Sequence, residues 1–176
     1  MGGAASVAFV EMNLAEAAAQ ADELAQRGAE RELADLRRQW EDELEAAARG
    51  ADYRERAAAY RAIGQFRFRQ KLELLRRGLE DESPACRGSA LVSLEQLSRD
   101  SPGAVNSSRA LLHTLATTDA NEAVRRLAVV VLKNGSPQRE TIVLLKGLAE
   151  DDRQDEKLQS AAKQVAAALQ KRQNLR

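Results

Sequence analysis

Few residues in this chain could do chemistry. It contains one histidine and one cysteine, and neither lies in an HExxH, Cys-x-x-Cys or glycine-rich phosphate-loop context of the kind that assembles a metal, redox or nucleotide site. His113 falls beside Leu111, Leu112 and Leu115 in a helical pattern, which reads as a structural or surface histidine and not as a base or metal ligand. Cys86 stands where a small apolar residue is wanted, and unpaired cysteine behaves as a small hydrophobe; a lone thiol also suits a reducing compartment. The acidic cluster Glu150-Asp151-Asp152, with Asp155 and Glu156, lacks the alternating ligand spacing and central glycine of a calcium loop. It reads as a solvated turn whose charge favours the following helix N-terminus. No enzyme activity, no cofactor and no metal site are therefore expected.

A second constellation is basic and aromatic. Arg61, Arg67, Arg69, Lys71, Arg76 and Arg77 surround Phe66 and Phe68, the interleaving by which single-strand binders stack bases over a cationic groove. Phe68, Leu72, Leu75 and Leu79 share one helical face, so the arginines also read as the wet side of an ordinary helix. The whole chain balances 27 basic against 27 acidic residues, which disfavours a protein devoted to nucleic acid or an anionic membrane. Charge is nonetheless segregated: residues 1–53 carry 12 acidic and 5 basic side chains, and residues 54–77 carry 8 basic and 2 acidic. Phosphate or nucleic-acid binding by these six cations is the alternative functional reading.

The elements that would position such residues are helices. Ala, Leu, Glu, Arg and Gln dominate, aromatics are 3% and prolines number three, a composition that favours helix and disfavours a β-sandwich or α/β sheet. Apolar residues recur at helical spacing: Leu14, Ala17, Ala18, Ala21 and Leu24 up to Gly28; Leu33, Leu36, Trp40 and Leu44 up to Gly50; Tyr53, Ala57, Tyr60 and Ile63 up to Gly64; then Phe68 to Leu79. Each glycine reads as a C-terminal stop. All three prolines follow serine, at Ser83-Pro84, Ser101-Pro102 and Ser136-Pro137. Serine as cap and proline in the first turn predict three helix starts there. The apolar run 127–132 could pass for a strand, but its flanks, Asn121-Glu122 and Lys133-Asn134-Gly135, predict a doubly covered helix.

These helices pair, and the pairs recur at 67–99, 103–134 and 137–172, with a degenerate pair at about 30–64, a period near 33 to 38 residues. Such a period marks a stack in which no unit buries its apolar face alone. Around the pair turns run Leu79-Glu80-Asp81 to Arg87 and Ala90, Leu115 to Asp119, Val124, Arg125 and Ala128, and Asp152 to Leu158, Gln159 and Ala162, with Asp52, Arg54 and Ala57 as a looser copy. This Leu, turn Asp, Val-Arg-x-x-Ala pattern resembles the HEAT-repeat (HEAT/armadillo-like) superfamily over about residues 50–170. The resemblance implies an all-α fold: a short right-handed α-solenoid of about four helical hairpins with an N-terminal helical arm. It also implies an inter-repeat ladder joining Asp81, Asp119 and Asp152 to Arg54, Arg87 and Arg125, with Gln159 breaking the pattern in a terminal, capping repeat.

The organisation expected is a flexible N-terminus over 1–12, a helical arm or cap over 13–50, and HEAT-like repeats over 51–176. Placing the copies in phase leaves Arg56, Val92, Gln96, Arg126, Val130, Lys133 and Gln164 on an i, i+4 row facing away from the core, a candidate concave face. Val92 and Val130 stand out because an apolar residue on a wet face serves no folding purpose. The function expected is a non-catalytic scaffold or adaptor that binds another protein there, alone or as a subunit of an assembly; an enzyme has only fold analogy in its favour. No apolar run approaches the roughly 20 residues that cross a bilayer, and no secretory leader is evident, so the cytoplasm is expected. Met1 to Ser6 fits the N-myristoylation pattern with Gly2 as acceptor, which would instead place the chain at a membrane.

Overall fold

The computed structural model describes residues 11–175 and is helical throughout, with no strand among them. Gly2 and the rest of the acylation pattern lie outside the described residues. Ten α-helices follow one another: α1 (Leu14–Gln26), α2 (Glu30–Ala48), α3 (Tyr53–Gln65), α4 (Leu72–Leu79), α5 (Pro84–Ser98), α6 (Pro102–Asn106), α7 (Arg109–Thr118), α8 (Glu122–Leu132), α9 (Arg139–Glu150) and α10 (Glu156–Asn174). A single 3-10 turn, Arg69–Lys71, precedes α4. The run 127–132 is helix, as its flanks predict.

Local chemistry sets the boundaries. Asn13 and Glu16 form a reciprocal capping box at the start of α1, and Asp52, Asn121 and Asp155 accept first-turn amides of α3, α8 and α10, each satisfying a donor that the helix cannot. Gly28 follows α1 with φ of 69°, a left-handed conformation that glycine adopts without strain. Three details depart from the sequence reading. Pro84 and Pro102 open α5 and α6, but Ser83 and Ser101 make no side-chain cap bond, and Pro137 precedes α9, whose N-cap is Gln138. The single helix expected after Ser101 is two, broken at Ser107-Ser108. Gly64 does not end α3 but lies inside it, where a Cβ would stand 2.8 Å from the Ser93 Cα of α5; the glycine permits close helix approach.

The stop falls instead at Arg67, the one non-glycine residue with a left-handed φ (52°) among those described. The amide of Phe68 bonds to the Ile63 carbonyl and that of Arg67 to Gly64, the paired bonds of a Schellman closure. Arginine offsets the strain of this position with its guanidinium, which donates to the Gly64 carbonyl at 2.8 Å and meets Asp22 of α1 at 2.9 Å.

Helices pair as α2 with α3, α4 with α5, α7 with α8, and α9 with α10. The second members, α3, α5, α8 and α10, pack extensively on one another in order, whereas consecutive first members scarcely touch. One apolar core runs through all pairs, including Leu33, Tyr60, Leu75, Leu91, Leu112, Leu132, Leu145 and Leu158. A two-layer stack curves toward the layer whose helices lie closer, so the second helices form its inner side. Helix α1 covers α2 and α3 with Leu14, Ala17, Ala18, Ala21 and Leu24. The arrangement is a short helical-repeat solenoid.

Candidate interaction surface

A register of arginines ties the pairs together. At each of three repeat turns an arginine Nη1 donates to a carbonyl six residues earlier: Arg56 to Gly50 (3.1 Å), Arg87 to Asp81 (2.9 Å) and Arg125 to Asp119 (2.8 Å). Arg56 also donates to both carboxylate oxygens of Asp81, at 2.8 and 3.0 Å, and Arg87 to both of Asp119, at 2.7 and 2.9 Å. Each aspartate thus links two repeats, and each also accepts the amide two residues on, Ser83 or Asn121. The Arg56 guanidinium holds the Asp81 carboxyl below the usual carboxylate range.

Several expectations are corrected by this geometry. The ladder arginine of the first copy is Arg56, not Arg54, which is exposed. With 8% exposure, Arg56 is committed to the turn and is not part of a binding face. In the last repeat the turn aspartate is Asp151, not Asp152: its carboxylate accepts the Arg153 amide, as Asp81 and Asp119 do for their own turns. Asp151 bonds to Arg153 and Gln154, and Gln159 reaches the Asp151 carbonyl eight residues back, at 2.8 Å. That turn is two residues longer, and Arg125 gains no carboxylate bond in it; its Nε is buried without a partner.

The remaining residues of the inner row have some surface free. Val92, Gln96, Arg126 and Val130 are half-buried, while Lys133 and Gln164 are exposed. Arg126 and Gln164 border one shallow cleft between α8 and α10 together with Ser160 and Ala161. Gln96 is brought instead to the arm, where its Nε2 donates to Asp22 at 3.2 Å. Sequence phase does not reveal this contact, which joins residues 74 apart.

The basic stretch is divided. Arg67 is engaged by Asp22 and by the end of α3, and Lys71 is held between Glu41 and Glu45 of α2; the Lys71 hydrogen bond holds the Glu45 carboxyl below its ordinary value. Arg69 faces a cleft near Arg37 and Arg99, whereas Arg76 and Arg77 border another with Glu73, Glu80 and Glu82. Arg61 is exposed on α3. Phe66 and Phe68, 0% and 6% exposed, are core residues and offer no face for base stacking. Cys86 is buried, its thiol donating to the Tyr53 carbonyl at 3.2 Å, and burial raises its pKa. Tyr53, read as part of the buried stripe, is exposed.

Among the described residues no cluster of histidine, cysteine and carboxylate side chains could hold a metal ion, and no helix is long and apolar enough to cross a membrane. No curated protein matches the chain. Residues 41–111, from the second half of α2 to the start of α7, match the family model for HEAT repeats. Paired helices, a continuous core and Arg–Asp links at the repeat turns agree with that match, which supports a HEAT-repeat assignment for the chain.

Proposed function

We propose that the chain is a non-catalytic scaffold that holds a segment of a partner protein against its inner layer, on the row formed by Val92, Arg126, Val130, Lys133 and Gln164, with Gln96 at its rim. HEAT repeats generally serve as protein-interaction scaffolds and are typically non-catalytic. The observation that carries the reading is the asymmetry of the two layers: the second helices crowd together, and side chains along their row remain at least partly exposed without serving the core. Two valines between cationic and amide side chains suit a partner segment that combines apolar contacts with acidic groups.

The arm over 13–50 is then a cap, with α1 lying against α2 and α3, and the repeats run over 51–176. The proposed setting is the cytoplasm, in an adaptor role or as a subunit of a larger assembly. Engagement of Arg67 and Lys71 and burial of both phenylalanines weigh against the alternative in which residues 54–77 bind nucleic acid.

The test is affinity capture from the native host with the double variant Arg126→Glu/Lys133→Glu. Both residues lie outside the core, so the melting temperature is expected to stay unchanged while capture of the partner weakens. Equal capture by both proteins would refute the site.

A further inference from the structure

On the outer layer, α7 and α9 scarcely touch, and an open groove of about 640 Å³ lies between them. Arg109 lines it with only 8% of its surface exposed. Its hydrogen bonds all go to neutral groups: the Thr141 hydroxyl at 2.9 Å, the Ser136 carbonyl at 3.0 Å and the Asn106 side-chain oxygen. The contrast within the chain is direct, because the other buried arginine, Arg56, has Asp81 and half-buried Arg87 has Asp119. A desolvated guanidinium without a counter-charge is costly, and an anion relieves that cost.

The groove supplies further donors. His113 borders it, with Nε2 at 3.0 Å from the Thr141 hydroxyl. The hydroxyl has lone pairs for Arg109 and for a protonated Nε2 as well as a proton of its own, so either ring tautomer satisfies this contact. Gln138, the N-cap of the 12-residue α9, borders the groove and makes no side-chain cap bond, and a helix start of this kind leaves first-turn amides without a helical partner. The single carboxylate lining the groove is the exposed Glu140, which acts on Arg109 and His113 only through its field.

We infer that the α7–α9 groove is an oxyanion site for a phosphate or phosphoryl group, with Arg109 as its charge partner and His113 and Gln138 at its border. It lies on the layer opposite the inner row and stands independently of the reading given for that row. A tetrahedral oxyanion suits a guanidinium whose own hydrogen bonds go to neutral acceptors and leave its charge without a bonded carboxylate.

His113 is the single histidine of the chain, so its ring resonances report on the groove without assignment. Inorganic phosphate and O-phosphoserine are titrated separately against the full-length protein, with sodium chloride balancing ionic strength. The expected result is a saturable shift of the His113 ring signals and a rise in its pKa, both abolished in Arg109→Gln. Glu140→Gln, at an exposed position with no fold to lose, should tighten binding about threefold by removing a like charge, and it decides the matter if Arg109→Gln fails to fold. Tighter saturation by phosphoserine identifies a phosphorylated chain as the source, and equal saturation identifies the free ion. No saturable shift with either probe, the same shift with chloride, or binding that Glu140→Gln leaves untouched would overturn the site.

Discussion

Asp119 receives both Nε and Nη2 of Arg87, at 2.7 and 2.9 Å, across a repeat boundary, with only 4% of its side chain exposed. The same residue's carbonyl accepts Arg125, so one turn anchors the repeats on either side. The two arginines are chemically alike but unequal in consequence. Arg87→Met strands a buried carboxylate and should cost about 3 kcal/mol, the lower end for breaking a buried pair. Arg125→Met loses a bond to a neutral carbonyl and a loose 3.9 Å ion pair with the exposed Glu122, and removes a buried Nε that has no partner, so its cost should be about 1 kcal/mol or less. Urea unfolding of the two variants measures the difference; equal costs would show that the carboxylate link contributes nothing beyond the carbonyl bond.

Gly64 and Gly147 make a matched pair of helical glycines. At Gly64 a Cβ would meet Ser93 Oγ at 2.7 Å and its backbone Cα at 2.8 Å, whereas at Gly147 it would meet nothing within 4 Å. Alanine at an open helical site is favoured by roughly 0.5–1 kcal/mol, so Gly147→Ala should raise the thermal midpoint. Forcing α3 and α5 apart costs about 1–3 kcal/mol, so Gly64→Ala should lower it despite the better helix propensity.

Much of this architecture is legible in the sequence because helix periodicity and repeat period are both short-range patterns. The helices on Leu14, Val124 and Leu158 follow from apolar spacing and carry Asn or Asp caps, and the one on Leu33, whose N-cap is Ala29, follows from spacing alone. What misleads is register. Asp52 beside Arg54 imitates the turn Asp and ladder Arg of the later copies, but the spacing that matters is six residues from carbonyl to arginine, and Gly50 to Arg56 meets it without a turn aspartate. Reading that interval across Asp81–Arg87 and Asp119–Arg125 would have removed Arg56 from the binding row. Contacts such as Asp22 with Arg67 and Gln96 depend on how α1 crosses the stack, and the oxyanion groove depends on the gap between α7 and α9. Neither distance leaves a trace in residue spacing.

Burial pushes the His113 imidazole below its ordinary value of 6.5, with Glu140 opposing and Arg109 reinforcing the shift. The unfolded chain therefore binds the proton at a pH where the folded chain does not. Stability from this site is complete above about pH 6.5 and is lost as pH falls through the folded value. His113→Gln should flatten the stability profile between neutral pH and the onset of carboxylate protonation. The Asp81 pair acts lower, below the ordinary 3.8 of an aspartate, so the two windows are separable by urea titrations at several pH values. An unchanged slope in His113→Gln would place the proton uptake elsewhere.

The seam of α2 bears on self-association. Leu33, Leu36, Trp40 and Leu44 could form a coiled-coil stripe, and over two heptads such a stripe would give a dimer. In the fold they are 0%, 8%, 7% and 0% exposed, packed within the chain, and Lys71 fastens Glu41 and Glu45 of the same helix to the segment before α4. A second copy could reach the seam only by displacing those contacts, which would exchange one buried surface for another at the added cost of association. Static light scattering should therefore give a mass near 19.3 kDa across a wide concentration range. Lys71→Glu, which sets a third carboxylate against the pair on α2, should loosen the arm and raise amide exchange in α2 before it alters the mass. A dimer mass in the unaltered protein would show that the arm joins two chains instead of closing one.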